Sequence, residues 1–397
     1  MRVLLACGKY QYGDASRGLG TEYTAFTRAL RNLGHDVTHF ELWDRGVYQD
    51  FRALNLALLD AVDAVQPDIL LAIPLHYEIW NETLYRVRGK GKVVTVCWTT
   101  DDSWKYREVS RFVGKAYDVM TTTYPNMVPR YRADAIRNVV LTQWAADSGC
   151  LQAPLQAGKC LYGVSFVGTA HGNRPKMVAK LRAAGIHIQC FGYGWPRGPV
   201  EAGDIPRIIN NSLISLNFCN SKGGKQIKAR TFEIPGAGGF LLTEQAPGLD
   251  RFYQPGREAV VFRDMKDLVA KIRHYLQHPK ERDAVAEAGF QRTRRDHTYE
   301  RRLEEVLAYA FEAVKKGGNS VLPVMAERDF GQAVAAYSVS ACQRWFARLL
   351  EGTCKMIWGP KRGIRAARRI VYEFSWRFMK EKTYTASGWP GKMFPTV

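Results

Sequence analysis

The sequence predicts an α/β protein of two parallel-sheet domains, and three observations predict it. At 397 residues the chain is longer than a single hydrophobic core usually supports. Its content of 46% apolar and 12% aromatic residues supplies enough to fill two cores and excludes a disordered chain. The order strand, glycine loop, helix, strand occurs once from Arg2 and again from Gly163, which is the signature of βαβ units.

The first domain opens with an apolar strand from Arg2 to Cys7 and a loop holding Gly18-Leu19-Gly20-Thr21. A helix to Leu33, stopped by Gly34, and a strand from Asp36 to Leu42 complete the unit. Gly18 and Gly20 sit where backbone amides can meet a phosphate, and a plain tight turn explains them equally well. Further strands are expected at Ile69 to Ile73, Lys92 to Trp98, Val119 to Thr123 and Asn138 to Thr142. His76 follows the first of these, at the edge where open sheets bind ligands.

After Trp98 come Thr99-Thr100-Asp101-Asp102-Ser103-Trp104. Adjacent carboxylates raise one another's pKa, which suits acid or base work, and tryptophans stack on sugar faces. The same residues are also ordinary helix N-cap chemistry, and the residues alone do not choose.

A proline and glycine segment at 151–160 reads as a linker between a first domain of residues 1–150 and a second of 161–318. The second domain repeats the pattern: a strand from Gly163 to Val167, a loop with His171-Gly172-Asn173-Arg174, a helix, and a strand to Phe191 followed by Gly192 and Gly194. Its central stretch is Lys225 to Glu244. There Lys225, Lys228 and Arg230 crowd a helix start, Glu233 lies one turn inside, and Gly236, Gly238 and Gly239 precede an apolar strand. Cations at a helix entrance suit a diphosphate, and a carboxylate one turn further suits ribose hydroxyls.

Arg-Thr-Phe-Glu-Ile-Pro-Gly-Ala-Gly-Gly-Phe-Leu-Leu-Thr-Glu resembles the signature of the spore-maturation CgeB-type glycosyltransferases, relatives of the group-one retaining enzymes. Val164 to Thr169 with Asn173-Arg174, Cys190 to Trp195, and His297-Thr298-Tyr299 with Arg301 are similar to the same family and come in the same order. The resemblance implies a GT-B fold, two Rossmann-like domains facing a central cleft. It implies a nucleotide-diphosphate sugar as donor substrate, with no cofactor required, and transfer with retention; Arg230, Lys225 and Lys228, by neutralising the leaving diphosphate, are expected to replace a metal. It also implies a role for Arg174 near the nucleotide and for Asp101 or Asp102 near the transferred sugar. Lys225 and Arg230 with the Asp101/Asp102 pair are the catalytic candidates. The donor-binding candidates are Gly18, Gly20, Arg174, Gly192, Gly194, Lys228, Glu233, Gly238 and Gly239. One departure stands out: the group-one enzymes carry a glutamate eight residues before the helix glutamate, where this chain has Lys225. A sugar-nucleotide epimerase on the same fold and a noncatalytic basic binding protein are the competing readings.

The formal charge is +19, and residues 331–397 contribute twelve Lys or Arg against three Glu. A basic helical extension over 319–397 is expected after a break at Gly317-Gly318, with an amphipathic helix from Lys361 to Lys380. Its stripe of Ile364, Ala367, Val371, Phe374 and Phe378 suits either an anionic membrane surface or packing on the protein. No RNA-reading motif or zinc module is present, so no specific nucleic acid is expected. Eight cysteines without metal spacing, and an N-terminal strand in place of a signal peptide, predict a reducing cytoplasmic setting, with any membrane contact peripheral at the inner face.

Overall fold

The computed structural model describes residues 1–44, 46–91, 93–221, 224–315 and 323–394. It divides into two compact units, Met1–Thr142 with Glu305–Val397, and Gln143–Glu304. The expected break at Gly317-Gly318 lies outside the described residues.

In the first unit, strands β1 (Arg2–Cys7), β2 (Asp36–Glu41), β3 (Ile69–Ala72), β4 (Val94–Cys97), β5 (Val119–Thr122) and β6 (Val139–Leu141) form one parallel sheet ordered β2-β1-β3-β4-β5-β6. Helices α1 (Thr21–Asn32), α2 (Phe51–Val65), α3 (Asn81–Gly89), α4 (Asp102–Lys105), α5 (Arg111–Val113) and α6 (Val128–Ala133) connect them. A π turn, Tyr106–Ser110, joins α4 to α5. Strands β3 and β4, Ile-Leu-Leu-Ala and Val-Thr-Val-Cys, are buried along their whole length. Parallel strands covered on both faces need such unbroken apolar runs.

The second unit holds β7 (Tyr162–Val167), α7 (Arg174–Ala183), β8 (Ile188–Phe191), α8 (Ile205–Asn210) and β9 (Ser212–Asn217). A two-strand hairpin follows, β10 (Asn220–Ser221) with β11 (Gly224–Lys225), then α9 (Arg230–Gly236), β12 (Leu241–Glu244) and β13 (Val260–Phe262). Strands β13-β12-β9-β7-β8 make a second all-parallel sheet. In both sheets the strand order reverses beside the first strand of the unit, at β1/β3 and at β7/β9, and such switch points open a crevice at the strands' carboxyl ends. Phe166, Ile214, Leu216, Phe218, Phe240 and Leu242 form the core on one side of the second sheet.

Helices α10 (Met265–Gln277) and α11 (Pro279–Asp296) pack around this sheet, and α12 (Tyr299–Lys315) runs out of the unit. The stretch expected as a linker is bound to the second unit. Gln152 N–H donates to Gly236 O at 3.0 Å, Ala157 N–H to Asp283 at 3.0 Å, and the enclosed Arg282 guanidinium donates to Leu155 O at 2.8 Å.

Beyond α12, helices α13 (Glu327–Ala335), α14 (Ala341–Trp358), α15 (Pro360–Phe378) and α16 (Trp389–Met393) belong to the first unit. Gly359, at φ +77°, turns α14 into α15, and Pro360 starts the new helix. A Cβ on Gly363 would lie 2.5 Å from Lys355 backbone, so glycine there lets the two helices close. On the stripe expected to suit either a membrane surface or packing on the protein, Ala367 and Val371 are buried with Ala347, Cys354 and Phe394, while Phe374 and Phe378 stay exposed. Arg369 pairs with Glu108 at 3.0 Å and Arg107 lies over the Trp376 ring, so α15 is docked on the rest of the first unit by another face. All eight cysteines are free thiols, and among the described residues no helix is long and apolar enough to cross a membrane.

His297 shows how the second unit closes. Its ring sits among Phe232, Phe252 and Tyr253, with Nε2 2.8 Å from Phe252 O and Nδ1 3.0 Å from the Arg302 guanidinium. Arg302 can only donate, so Nδ1 accepts and Nε2–H donates: the ring is held neutral. Burial pushes its pKa down to about 4, with Arg302 adding to the effect. The unfolded chain therefore takes up a proton that the folded chain refuses, and stability falls as pH drops from about 6.5 toward 4. The loss approaches about 3 kcal/mol at the acid end of that window. Denaturant unfolding of wild type and His297→Gln across pH 4–7 measures it, and the variant's slope should be the flatter.

Candidate functional site

Because every strand of the second sheet points the same way, the loops after β7, β8, β9 and β12 emerge on one edge. The loops after β7 and β8 are tied together there. Gly168 N–H donates to Phe191 O and Ala170 N–H to Tyr193 O, each at 2.8 Å, while the Trp195 indole donates to Gly168 O at 2.7 Å. Gly192, at φ +127°, leaves only 2.6 Å between an added Cβ and Gly168 O. Any side chain at Gly192 would force these loops apart, which accounts for the glycine without a ligand.

Arg174 opens α7 at this edge. Its guanidinium lies over Phe166, 5.4 Å from the ring centroid, and donates to Thr169 O at 3.1 Å, while its Nε is buried with no hydrogen-bond partner. Burial lowers the Arg174 pKa and Arg230 lowers it further. His171 is lowered in the same way, by burial and then by Arg174 and Lys228. Four cationic or basic groups from two loops therefore share one field. An anion would relieve that repulsion.

Arg230 and Glu233, one helical turn apart, are joined at 2.7 Å, and both are about three-quarters covered. Lys228 Nζ donates to Gln226 Oε1 at 3.1 Å. Lys225 leaves the cluster for Glu244, which ends β12 and also accepts from Cys219 N–H at 3.1 Å. Beneath α9, the buried Asn217 amide donates to Thr231 at 3.1 Å and Thr243 at 3.0 Å, fixing the helix start to β9 and β12.

Gly238 and Gly239 are somewhere else. They lie beyond the far end of α9, before β12 begins, and so at the amino edge of a sheet whose binding loops are all at the carboxyl edge. An added Cβ on Gly238 would meet Gln152 O at 2.5 Å and one on Gly239 would meet Ile209 at 2.5 Å. These glycines serve a tight turn and close packing, and the structure does not bring them to the other donor-binding candidates. Gly194, at φ +84°, faces Ala170 in the clamped loops at the carboxyl edge.

In the first unit the two aspartates part company. Asp102 is enclosed at the start of α4 and accepts from Ser110 at 2.6 Å, Tyr131 at 2.7 Å and Thr99 at 3.0 Å. Burial, not the neighbouring Asp101, pushes its carboxyl pKa up, and the hydroxyl donors oppose the shift. Its oxygens are taken up by hydroxyl donors inside the domain. Trp98 is buried edge-on against Phe26 and cannot stack on a sugar. Asp101 stays part-exposed at the carboxyl end of β4, where its charge raises the pKa of Tyr12 and Tyr124 after burial has done so. Gly18, at φ +78°, turns the loop after β1, and Gly20 N–H is already donated to Lys9 O at 2.8 Å.

Residues 174–308 match the model of a family described as glycosyl transferase-like. The solved structures give the decisive likeness. Sucrose-phosphate synthase from Thermosynechococcus elongatus superposes with a TM-score of 0.58 at 10% identity, over 79% of this chain and all of that one. The Anabaena protein HepE in complex with UDP gives 0.51 at 11% identity over 78% of this chain and all of that one. The DNA-modifying β-glucosyltransferase, whose substrate is uridine diphosphoglucose, gives 0.52 at 13% identity over 79% and 100%.

The fold is GT-B. The fold and the match over residues 174–308 liken the chain to glycosyltransferases, and no curated protein sequence matches it. Glu244, Asn217 and Gly168 were not legible as site-building residues in the sequence. Glu244 could have been found from its place at the end of the Leu-Leu-Thr-Glu strand.

Truncating Asp102 to alanine strands three hydroxyls and should cost on the order of 3 kcal/mol in denaturant unfolding. Asp101→Ala should cost less than about 1 kcal/mol.

Proposed function

We propose that this protein transfers a sugar from a uridine-diphosphate sugar to an acceptor, with the donor's diphosphate held by Arg174, Lys228 and Arg230. The observation that carries this reading is the convergence of those cations at the carboxyl edge of the second sheet, with the buried Arg174 Nε unpartnered. Uridine is chosen because HepE and the β-glucosyltransferase, which share the fold, are described with UDP and uridine diphosphoglucose.

The chemistry follows from charge. When the glycosidic C–O bond to the β-phosphate breaks, negative charge accumulates on the departing diphosphate. Fixed guanidinium and ammonium groups stabilise that charge more in the transition state than in the bound donor, which is what lowers a barrier. The three cations can fill the role a divalent ion plays elsewhere, and donor binding is proposed to need no added metal. Arg230 holds the Glu233 carboxylate in place, leaving it lone pairs for ribose hydroxyls. Lys225, held at Glu244 3.2 Å away, is proposed as a second cation that shifts to the diphosphate on binding. In the first unit, Asp101 and the Gly18 to Gly20 loop are proposed as the polar groups that meet substrate, with Asp102 holding the loop. Assignment to the CgeB-type enzymes, and retention of anomeric configuration, rest on the motif residues alone.

Calorimetry with UDP, GDP and CDP in the absence of added metal tests the reading. UDP should bind best. Arg230→Ala and Arg174→Ala should each weaken it about 10- to 100-fold, the range for one lost charge-assisted contact, while the melting temperature stays near wild type. Failure of all three diphosphates to bind would overturn the proposal.

A further inference from the structure

Helix α14 buries one narrow face and leaves the rest open. Ala347 and Cys354 pack toward α15, yet Trp345 is 64% exposed, Leu349 53%, Met356 83% and Ile357 62%, with Phe346 and Trp358 also about half exposed. On a helical projection, Trp345, Leu349, Met356, Phe346 and Ile357 fall within an arc of about 120°. Arg344, Arg348 and Lys355 line up on the flank beside Trp345, within about 40° of one another. The tip of the α14/α15 hairpin adds the exposed Lys361, Arg362 and Arg365.

This is a surface that water does not explain. Scattered exposed apolar residues are ordinary, but five large side chains on one face of one helix, in two groups on either side of Gly352 and Thr353 and including a tryptophan and a phenylalanine, are not. Its flank is cationic: of the charged side chains on α14, only Glu351 is acidic, and it is paired with Lys355. Aromatic and aliphatic side chains beside arginines match the boundary between acyl chains and anionic headgroups, where the rings sit at headgroup depth and the guanidiniums reach phosphate. A protein partner would need an acidic rim around an apolar groove, whereas an anionic bilayer supplies both features anywhere on its surface.

We propose that the exposed face of α14 docks this protein on anionic phospholipid bilayers, with Trp345, Phe346, Leu349, Met356 and Ile357 entering the interface and Arg344 and Arg348 binding lipid phosphate. This differs from the stripe expected on Lys361 to Lys380. There Ala367 and Val371 are occupied in holding α14, and α15 acts as the strut between α14 and the first unit.

Co-sedimentation of the full chain with vesicles tests it. Wild type should pellet with phosphatidylglycerol/phosphatidylcholine vesicles, pellet at least tenfold less with pure phosphatidylcholine, and be released by raising the salt toward 1 M. Trp345→Ser/Phe346→Ser/Ile357→Ser should lower partitioning at least tenfold without changing the far-UV spectrum or the melting temperature, since all three side chains are exposed. Arg344→Glu/Arg348→Glu should lower it on anionic vesicles only. Wild type left in the supernatant, or a triple variant that partitions like wild type, overturns the proposal. So does a dimer by light scattering that the triple variant dissociates, because a second copy would then own the face. UDP affinity measured on the same preparations reports the donor site separately, so failure of one assignment is distinguishable from failure of the other.

Discussion

The direction shared by all five strands of the second sheet is the constraint on which the site depends. A parallel strand must be followed by a crossover, so each strand releases its loop at the same edge and each helix returns the chain to the other. Arg174 after β7, Gly192 after β8, Arg230 after β9 and Glu244 at the end of β12 are far apart in sequence and share that edge for this reason alone. The order reversal at β7/β9 then separates the two crossovers and leaves room between them.

The polar groups around this edge divide into those that hold and those that wait. Asn217 ties Thr231 to Thr243, and Trp195 ties its own loop to Gly168, so the loops are fixed by bonds already made. Arg174, Lys228 and Arg230 stay close enough for Arg230 to lower the Arg174 pKa and for Lys228 to lower that of His171, although Arg230 also pairs with Glu233. Cations gathered on fixed loops favour binding an anion with little reorganisation. In the first unit the same division separates Asp102, occupied by three hydroxyls, from Asp101 at the rim.

The C-terminal helices apply similar economy. Small residues at Ala347, Cys354, Gly363 and Ala367 let α14 and α15 approach closely, and the ion pair from Arg369 to Glu108 docks α15. The large side chains of α14 are thereby left outward.

The sequence by itself determined the two α/β units, nearly every strand, and the identity of the basic stretch at Lys225 to Glu233, because buried parallel strands must be apolar and glycine turns must punctuate them. It also determined that Arg174 and Arg230 are cations near helix starts. It did not determine that they share a field, since 56 residues separate them and only the sheet order brings their loops to one edge. Gly238 and Gly239 read like binding glycines because a turn, a close approach to phosphate and a close approach to packed side chains ask for the same residue. Asp101 and Asp102 read as a pair because adjacency in sequence is visible and burial is not. The stripe on α15 reads the same in sequence whether it faces a helix or a membrane, and only tertiary packing shows that Ala367 and Val371 are covered by α14.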